Sequence, residues 1–179
     1  MKLSLSLSVA LVAILASTIT LASPAEALIA FDGLCIGTDA ELAVIEGMAS
    51  AAGAKQVPQS VIAQDPAVAR AGGKGFSFQR GKLRFMVVAT PNGTCSILLK
   101  NIPHVEFRKS LEKNYPLARP YIDASGPQTV SLYRIVDPSV YSGGYIMLTV
   151  PKEGFGADGY MSVGFISPSA AKRFGVQPK

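Results

Sequence analysis

The residue types that most often carry catalysis or bind metal are scarce in this chain of 179 residues. There is a single histidine, His104. A zinc site built from several histidines is therefore excluded, and a Ser-His-Asp triad would have to use this residue. No serine or cysteine motif indicates a partner for it. Its place in the first turn of a predicted helix, where the helix dipole disfavours imidazolium, indicates an ordinary surface side chain.

Two short patterns match functional motifs in their letters only. Residues 154–159, GFGADG, fit G-x-G-x-x-G, but a strand-like segment follows where dinucleotide binding requires a helix. Residues 110–113 and 169–172 both fit S-x-x-K, without the companion elements of penicillin-recognising enzymes. We interpret the first as a glycine-rich turn and reject the second. The sequence predicts no cofactor and no metal site.

Carboxylates in predicted loops are the remaining basis for an enzyme. These residues are Asp123, Asp137, Glu153 and Asp158. Two of them brought together would serve as the acid and base of a small secreted hydrolase. Aspartate is also common in turns, because its side chain bonds the local backbone. The local role is favoured, and the hydrolase remains an alternative.

Tyrosines in three predicted strands are the first part of the favoured functional hypothesis. Apolar residues of one parity form a predicted core face: Val130, Leu132, Val136, Ile146, Leu148, Val150, Met161, Val163 and Phe165. The opposite parity then places Tyr133, Tyr145 and Tyr160 on the outer face. Tyrosine offers a large contact area with a polar tip at a small cost in entropy. The ordinary alternative is the polar outer face of an open sheet, where β-propensity favours tyrosine.

Basic residues in a hairpin complete that hypothesis. The same alternation places Lys82, Arg84 and Lys100 opposite the core face of the segment 82–100. If both groups of strands share one sheet, its outer face presents tyrosines beside cations, which attract anions. The residues selected for binding are Tyr133, Tyr145, Tyr160, Lys82 and Arg84.

The segment 82–100, KLRFMVVATPNGTCSILLK, is the element that must position these residues. Apolar residues alternate along both arms. The turn between the arms, PNGT at 91–94, contains the Asn and Gly that tolerate the positive φ of tight hairpins. Cys95, Ile97 and Leu99 share one face of the return arm. The pattern predicts a β-hairpin at the centre of the fold.

The first residues predict export. A cationic start and an apolar run over 3–21 precede Ala25-Glu26-Ala27, where small residues occupy the two positions read by signal peptidase. Residues 1–27 are therefore predicted to be a secretory signal peptide cleaved after Ala27, with an uncleaved membrane anchor as the alternative. The mature chain, 28–179, is expected to be one periplasmic or extracellular domain with no stable membrane span. Its length is ordinary for a single domain.

The two cysteines, Cys35 and Cys95, support the same compartment. In an exported protein a pair of cysteines predicts a disulfide, and this one would fasten the start of the mature chain to the central hairpin. Two buried free thiols are the less favoured alternative.

Helix and strand signals alternate along the rest of the chain. Thr38 and Glu41 fit a capping box that opens a helix ending near Ala52. Further helices are predicted at 66–71, 104–115 and 170–174, and further strands at 76–79, 128–136, 145–150 and 160–166. The entry before the first helix, 31–37, is expected to be extended. The order favours an α+β domain: an antiparallel sheet of about five to six strands with two main helices packed on one face, and one disulfide.

The net charge of +5 and the pI near 9.3 bear on the partner. A basic exported chain without a long basic run is not expected to bind nucleic acid. The sequence predicts a non-catalytic binding protein whose partner is a protein or an anionic component of the cell envelope. Besides the hydrolase, a structural subunit of an envelope assembly remains an alternative.

Overall fold

The computed structural model describes residues 23–152 and 160–176, and one antiparallel sheet of eight strands runs through them. The strands are β1 (Lys55–Gln56), β2 (Lys74–Arg80), β3 (Leu83–Thr90), β4 (Thr94–Lys100), β5 (Tyr121–Asp123), β6 (Gln128–Arg134), β7 (Tyr145–Pro151) and β8 (Tyr160–Ile166). The helices are α1 (Pro24–Phe31), a π-helical turn (Asp32–Ile36), α2 (Leu42–Ala51), α3 (Gln59–Ile62), α4 (Pro66–Arg70), α5 (His104–Asn114) and α6 (Pro168–Phe174). None of the described helices is long and apolar enough to cross a membrane.

The strand order, β1-β2-β3-β4-β8-β7-β6-β5, divides the sheet into two halves of four consecutive strands. Each half is a meander, and α5 connects the first half to the second. The last strands of the two halves, β4 and β8, pair antiparallel from Thr94↔Ile166 to Lys100↔Tyr160. The predicted hairpin is confirmed as β3 and β4, and Gly93 in its turn has a φ of 76°. It lies at the centre of the sheet.

The predicted number of strands was too low. The six longer strands correspond to the predicted ones, whereas β1 and β5 were missed. These two have only two and three residues, all of them exposed. Because they bury no alternating apolar side chains, they leave no period-two signal in the sequence.

Helices α1, α2 and α5 cover one face of the sheet and enclose the core with it. Contacts join α1 to α5 and to β4, and α2 to β2 and β3. The α5 helix agrees with its prediction and buries Phe107 and Leu111. The α+β class is confirmed, but three helices cover this face of the sheet where two were predicted.

The start of the described chain differs from the expectation of an extended entry. Ser23 and Glu26 form a capping box that opens α1, and Ala27, Leu28 and Phe31 are buried in the core. The π-helical turn follows directly. The predicted boundary after Ala27 falls inside α1, so cleavage there would divide the helix.

The capping box predicted at Thr38 and Glu41 was wrong. The Thr38 hydroxyl donates to the carbonyl of Leu34 at 2.8 Å, and α2 begins at Leu42. Asp39 and Ala40, with φ of 51° and 56°, turn the chain between the two helices. The threonine therefore satisfies the end of the preceding π-helical turn and not the start of α2.

The disulfide between Cys35 and Cys95 is confirmed. It joins the π-helical turn to β4 across a sequence separation of 60 residues, and both cysteines are buried. A cross-link of this kind indicates a non-reducing compartment.

The three remaining helices lie on the other face of the sheet, near the turn between β3 and β4. Side chains of α3 and α4 line a cleft with Met86 and Val88, and α6 lines another with Arg134 and Tyr145. The helix prediction for 170–174 is confirmed by α6, which the Ser167 side chain caps. The part of this face that the helices leave uncovered is called the open face below.

Candidate functional site

Tyr133 does not lie on the outer face, so its selection as a binding residue was wrong. It pairs with Ile146 on the core side of the sheet and is 1% exposed. Its hydroxyl donates to Glu112 Oε1 on α5 at 2.9 Å. Burial, reinforced by this hydrogen bond, raises the pKa of Tyr133 to about 12. The side chain is part of the core.

The prediction for β6 exchanged the buried face of the strand with the outer face. Ser131, Tyr133 and Ile135 are buried, whereas Val130 and Leu132, predicted to be core, are only half-buried. The reason lies on α5, where Glu112 accepts from Tyr133 and Arg108 donates to the Ser131 hydroxyl at 3.4 Å. Polar partners supplied by a helix make a polar strand face suitable for burial.

Tyr145 points toward the open side of the sheet, as predicted, but it is covered. Its ring is 4% exposed, and its hydroxyl donates to the carbonyl of Val176 at 3.0 Å. The segment after α6 therefore closes over this tyrosine. Its selection as a contact residue was wrong for that reason.

Tyr160 is the predicted tyrosine that reaches solvent, with 44% of its surface exposed. It lies directly opposite Lys100 on the neighbouring strand. Lys100 Nζ lies 4.9 Å from the centre of the Tyr160 ring. This is a cation–π contact, which orders both side chains at the edge of the open face.

Arg84 extends this pair across the sheet. It is exposed, it lies opposite Gln79, and the adjoining pair Phe85↔Leu99 places it beside Lys100. Lys82 lies in the turn between β2 and β3, exposed and two residues from Arg84. The guanidinium and the ammonium of Lys100 thus belong to neighbouring strands of one hairpin.

A shallow cavity of about 420 Å³ continues from Arg84 to the short strand β1. Its lining includes Lys55, Ser77, Gln79 and Arg84. We name Lys55, Arg84, Lys100 and Tyr160 the cationic strip. Lys55 was not among the predicted binding residues, because its two-residue strand is too short to show alternating apolar residues. The one signal it offers is that it is the first basic residue after the apolar N-terminal run.

Among the described residues of the strands, few acidic side chains share a face with the strip. The strand register places one carboxylate on the same face, Asp123, which lies at the opposite edge of the sheet. The described residues form one ion pair, Lys74 with Glu46 at 2.6 Å, and it involves α2. The three cations of the strip thus have no ion-pair partner among the residues that the structure describes.

Charge is also segregated along the chain. Residues 23–54 hold five carboxylates and no Lys or Arg, and they form α1, the π-helical turn and α2. The described residues from 55 onward hold fifteen Lys and Arg against five carboxylates. The acidic segment packs on the helical side, so the excess of positive charge belongs to the rest of the molecule.

An apolar cleft of about 270 Å³ lies next to the strip. Its floor includes Met86 and Leu98, which face each other on β3 and β4. Its wall includes Val61 and Ile62 of α3 and Val68 of α4. The open face therefore joins a charged region to an apolar one along a single hairpin.

Of the carboxylates considered for catalysis, Asp123 has a local role and Asp137 is exposed in the loop after β6. Asp123 Oδ1 accepts from the Ser125 amide at 2.9 Å and from the Ser125 hydroxyl at 2.7 Å, which holds the pKa of Asp123 below its usual range. Glu153 and Asp158 lie outside the described residues, as does the 154–159 pattern. His104 is exposed, as predicted. Within 23–152 and 160–176, no cluster of His, Cys, Asp or Glu could hold a metal ion.

Comparisons with family models, with curated proteins and with solved structures give no match.

Proposed function

We propose that this protein is exported and acts as a non-catalytic binding protein, and that its partner is an anionic component of the cell envelope. The observation that carries the proposal is the cationic strip on the open face. Arg84 and Lys100 lie side by side on neighbouring strands, and Lys55 lines the same shallow cavity as Arg84. None of the three has a carboxylate paired to it among the described residues. The buried disulfide supports export, because such bonds persist in oxidising compartments.

The energetics favour a partner with several negative charges. Each exposed cation contributes only about 0.2–1 kcal/mol to an ion pair in water. One monovalent anion would therefore bind weakly, whereas a polymer or surface meets Lys55, Arg84 and Lys100 together. Tyr160 adds a flat ring at the end of the strip. Attraction of this kind weakens as salt is added, because exposed charges are screened.

The experiment compares two charge-matched double variants. Arg84→Gln with Lys100→Gln removes two charges from the strip, and Lys109→Gln with Lys113→Gln removes two exposed charges from α5. Binding to immobilised dextran sulfate and to phosphatidylglycerol vesicles is measured at low and high salt. We expect the strip variant to lose most of its binding and the α5 variant to keep it.

Equal losses in the two variants would contradict the proposal, because net charge and not the strip would then control binding. Absence of binding by the unmodified protein to both probes would also overturn it. Binding to dextran sulfate that is unchanged at high salt would contradict it as well, because exposed charges would not then be its source.

A further inference from the structure

The order of side chains along β3 and β4 is the starting observation. On the open face β3 presents Arg84, then Met86, then Val88, because alternate residues share a face. On β4 the same face presents Lys100, then Leu98, then Ser96. The pairs Met86↔Leu98 and Val88↔Ser96 align the two series. Two cations therefore lie at one end, and apolar or small side chains continue from them.

The helices α3 and α4 form a wall beside these strand residues, and the wall and the strands together form a groove. Val61 is 40% exposed on α3, whereas Ile62 beneath it is 3% exposed, and both line the cleft with Val68. Met86 and Leu98 are half-buried on the floor. The four residue steps of strand from Arg84 to Val88 span about 13 Å. This row of side chains is comparable in length to an extended acyl chain.

A carboxylate on the helical wall makes the groove differ in charge between that wall and the hairpin cations. Asp65 lines it on the helical wall, where its Oδ1 accepts from the amides of Ala67 and Val68 at 3.0 and 3.1 Å. Its negative charge disfavours an anionic group at this wall. Arg84 and Lys100, at the end of the floor, attract one. A ligand with one charged end would thus be oriented with that end on the hairpin cations.

We infer that the anionic partner is a lipid, whose charged group meets Arg84 and Lys100 and whose acyl chain lies between Met86, Leu98 and Val61. The inference rests on the proposed function, since it names the chemistry of the partner at the same site. Charge complementarity supports it at one end of the groove, and apolar lining along the rest. Methionine in the floor suits chains of varied shape, because its side chain is flexible and polarisable.

The experiment uses the whole protein and four probes: dodecanoate, hexanoate, dodecyl maltoside below its micelle concentration, and dextran sulfate. Binding is measured by calorimetry or by NMR shifts at neutral pH. We expect dodecanoate to bind at least about tenfold more tightly than hexanoate, because each buried methylene raises affinity about fourfold. Dodecyl maltoside, which has the chain without the charge, should bind more weakly than dodecanoate.

Two substitutions locate the chain. Val61→Asp places a carboxylate in the groove wall, and Val105→Asp places one at a comparably exposed position on α5, since the two valines are 40% and 48% exposed. Both positions reach solvent, so both variants are expected to fold. Val61→Asp should weaken dodecanoate binding about tenfold or more, and Val105→Asp should leave it unchanged.

The outcomes separate this inference from the proposed function. If dextran sulfate binds and dodecanoate binds no more tightly than hexanoate, the inference of a lipid partner is overturned. The proposal that the cationic strip binds anions then still stands. Equal binding of dodecanoate and dodecyl maltoside would overturn the role given to Arg84 and Lys100. Equal effects of Val61→Asp and Val105→Asp on dodecanoate binding would overturn the placement of the acyl chain in the groove. No binding of dodecanoate or dextran sulfate would overturn both proposals together.

Discussion

Tyr133 and Tyr160 are the same residue type in two opposite environments. The hydroxyl of Tyr133 is held by Glu112 beneath α5, whereas the ring of Tyr160 lies under Lys100 at the solvent edge. The first tyrosine contributes to stability, and the second is available to a ligand. Residue type alone could not distinguish them. The apolar ring and polar hydroxyl of tyrosine suit it both to a core position with a hydrogen-bond partner and to a solvent-exposed contact surface.

Replacement of Tyr133 by Phe should reduce the sensitivity of the fold to alkali. The pKa of Tyr133 is raised to about 12 in the folded protein from an ordinary value of 10. The folded state therefore keeps this proton where the unfolded state loses it, so the stabilisation present below pH 10 is lost as the pH rises toward 12. Urea denaturation at pH 8 and pH 11 measures the effect.

We expect the difference in unfolding free energy between those pH values to be smaller for Tyr133→Phe than for the unmodified protein. At pH 8 the variant should be destabilised by about 1 kcal/mol through the lost hydrogen bond. Tyr121→Phe, at a tyrosine that is 53% exposed, is the control. If Tyr133→Phe loses as much unfolding free energy between pH 8 and pH 11 as the unmodified protein, ionisation of Tyr133 does not cause the alkaline loss. Tyr115, whose pKa burial and Asp32 also raise, would then be the next residue to test.

At the scale of elements, the sequence predicted the buried face correctly in two of the three C-terminal strands. In β7 and β8 the apolar set is buried as expected. In β6 both parities contain large side chains, Leu132 on one and Tyr133 on the other. The choice between them was made by α5, whose polar residues are distant in sequence. The assignment of that face, and of the site residue that depended on it, was therefore beyond local patterns.

The N-terminal helix was missed for a related reason. Small residues at positions 25 and 27 fit the pattern that signal peptidase reads and also suit a helix, so the same residues are compatible with two interpretations. The strip was found only in part, since Arg84 and Tyr160 lie in well-patterned strands and Lys55 does not. A short element can thus contribute a residue to the strip without carrying a pattern.

Gly75 controls the seating of α3 on the open face. A Cβ at this position would meet Ile62 Cδ1 at 2.7 Å and Val57 Cβ at 3.1 Å. Gly75→Ala should therefore destabilise the protein by about 1–3 kcal/mol, as overpacking does. Thermal melts measure the change.

Gly47 gives the opposite expectation and serves as the control. It lies inside α2 with nothing within 4 Å of an added Cβ. Gly47→Ala should stabilise the protein by up to about 1 kcal/mol, because alanine is the better helix former. A Gly75→Ala variant as stable as the unmodified protein would mean that α3 moves without cost.

The length of α1 bears on where the mature chain begins. A domain of residues 23–179 retains the capping box and Ala27, whereas 28–179 lacks them. We expect the shorter form to be less stable by at least about 1 kcal/mol, since loss of a cap alone costs about that much. Urea denaturation of the two forms measures it, with Ser23→Ala in the longer form as the test of the cap.

Equal stability of the two forms would favour the predicted cleavage after Ala27. A large difference would favour a mature chain that begins at or before Ser23. If the protein is exported, as we propose, the mass of its mature form gives the cleavage position directly.

At the scale of the whole molecule, the separation of charge gives the protein an electrical direction. The acidic segment packs on the helical side and the cationic strip lies on the other. A field of this kind orients the protein before contact and raises the rate of encounter with an anionic surface. If the partner is the anionic surface that we propose, the helical side is expected to be turned away from it.

The shortness of β1 and β5 has a consequence for how any partner can approach. They form the two edges of the sheet, with two and three residues each. An added strand would find at most a few free amides and carbonyls there, so extension of the sheet by another chain is weakly templated. The protein can therefore keep a broad eight-stranded sheet partly uncovered in a crowded compartment without polymerising through its edges.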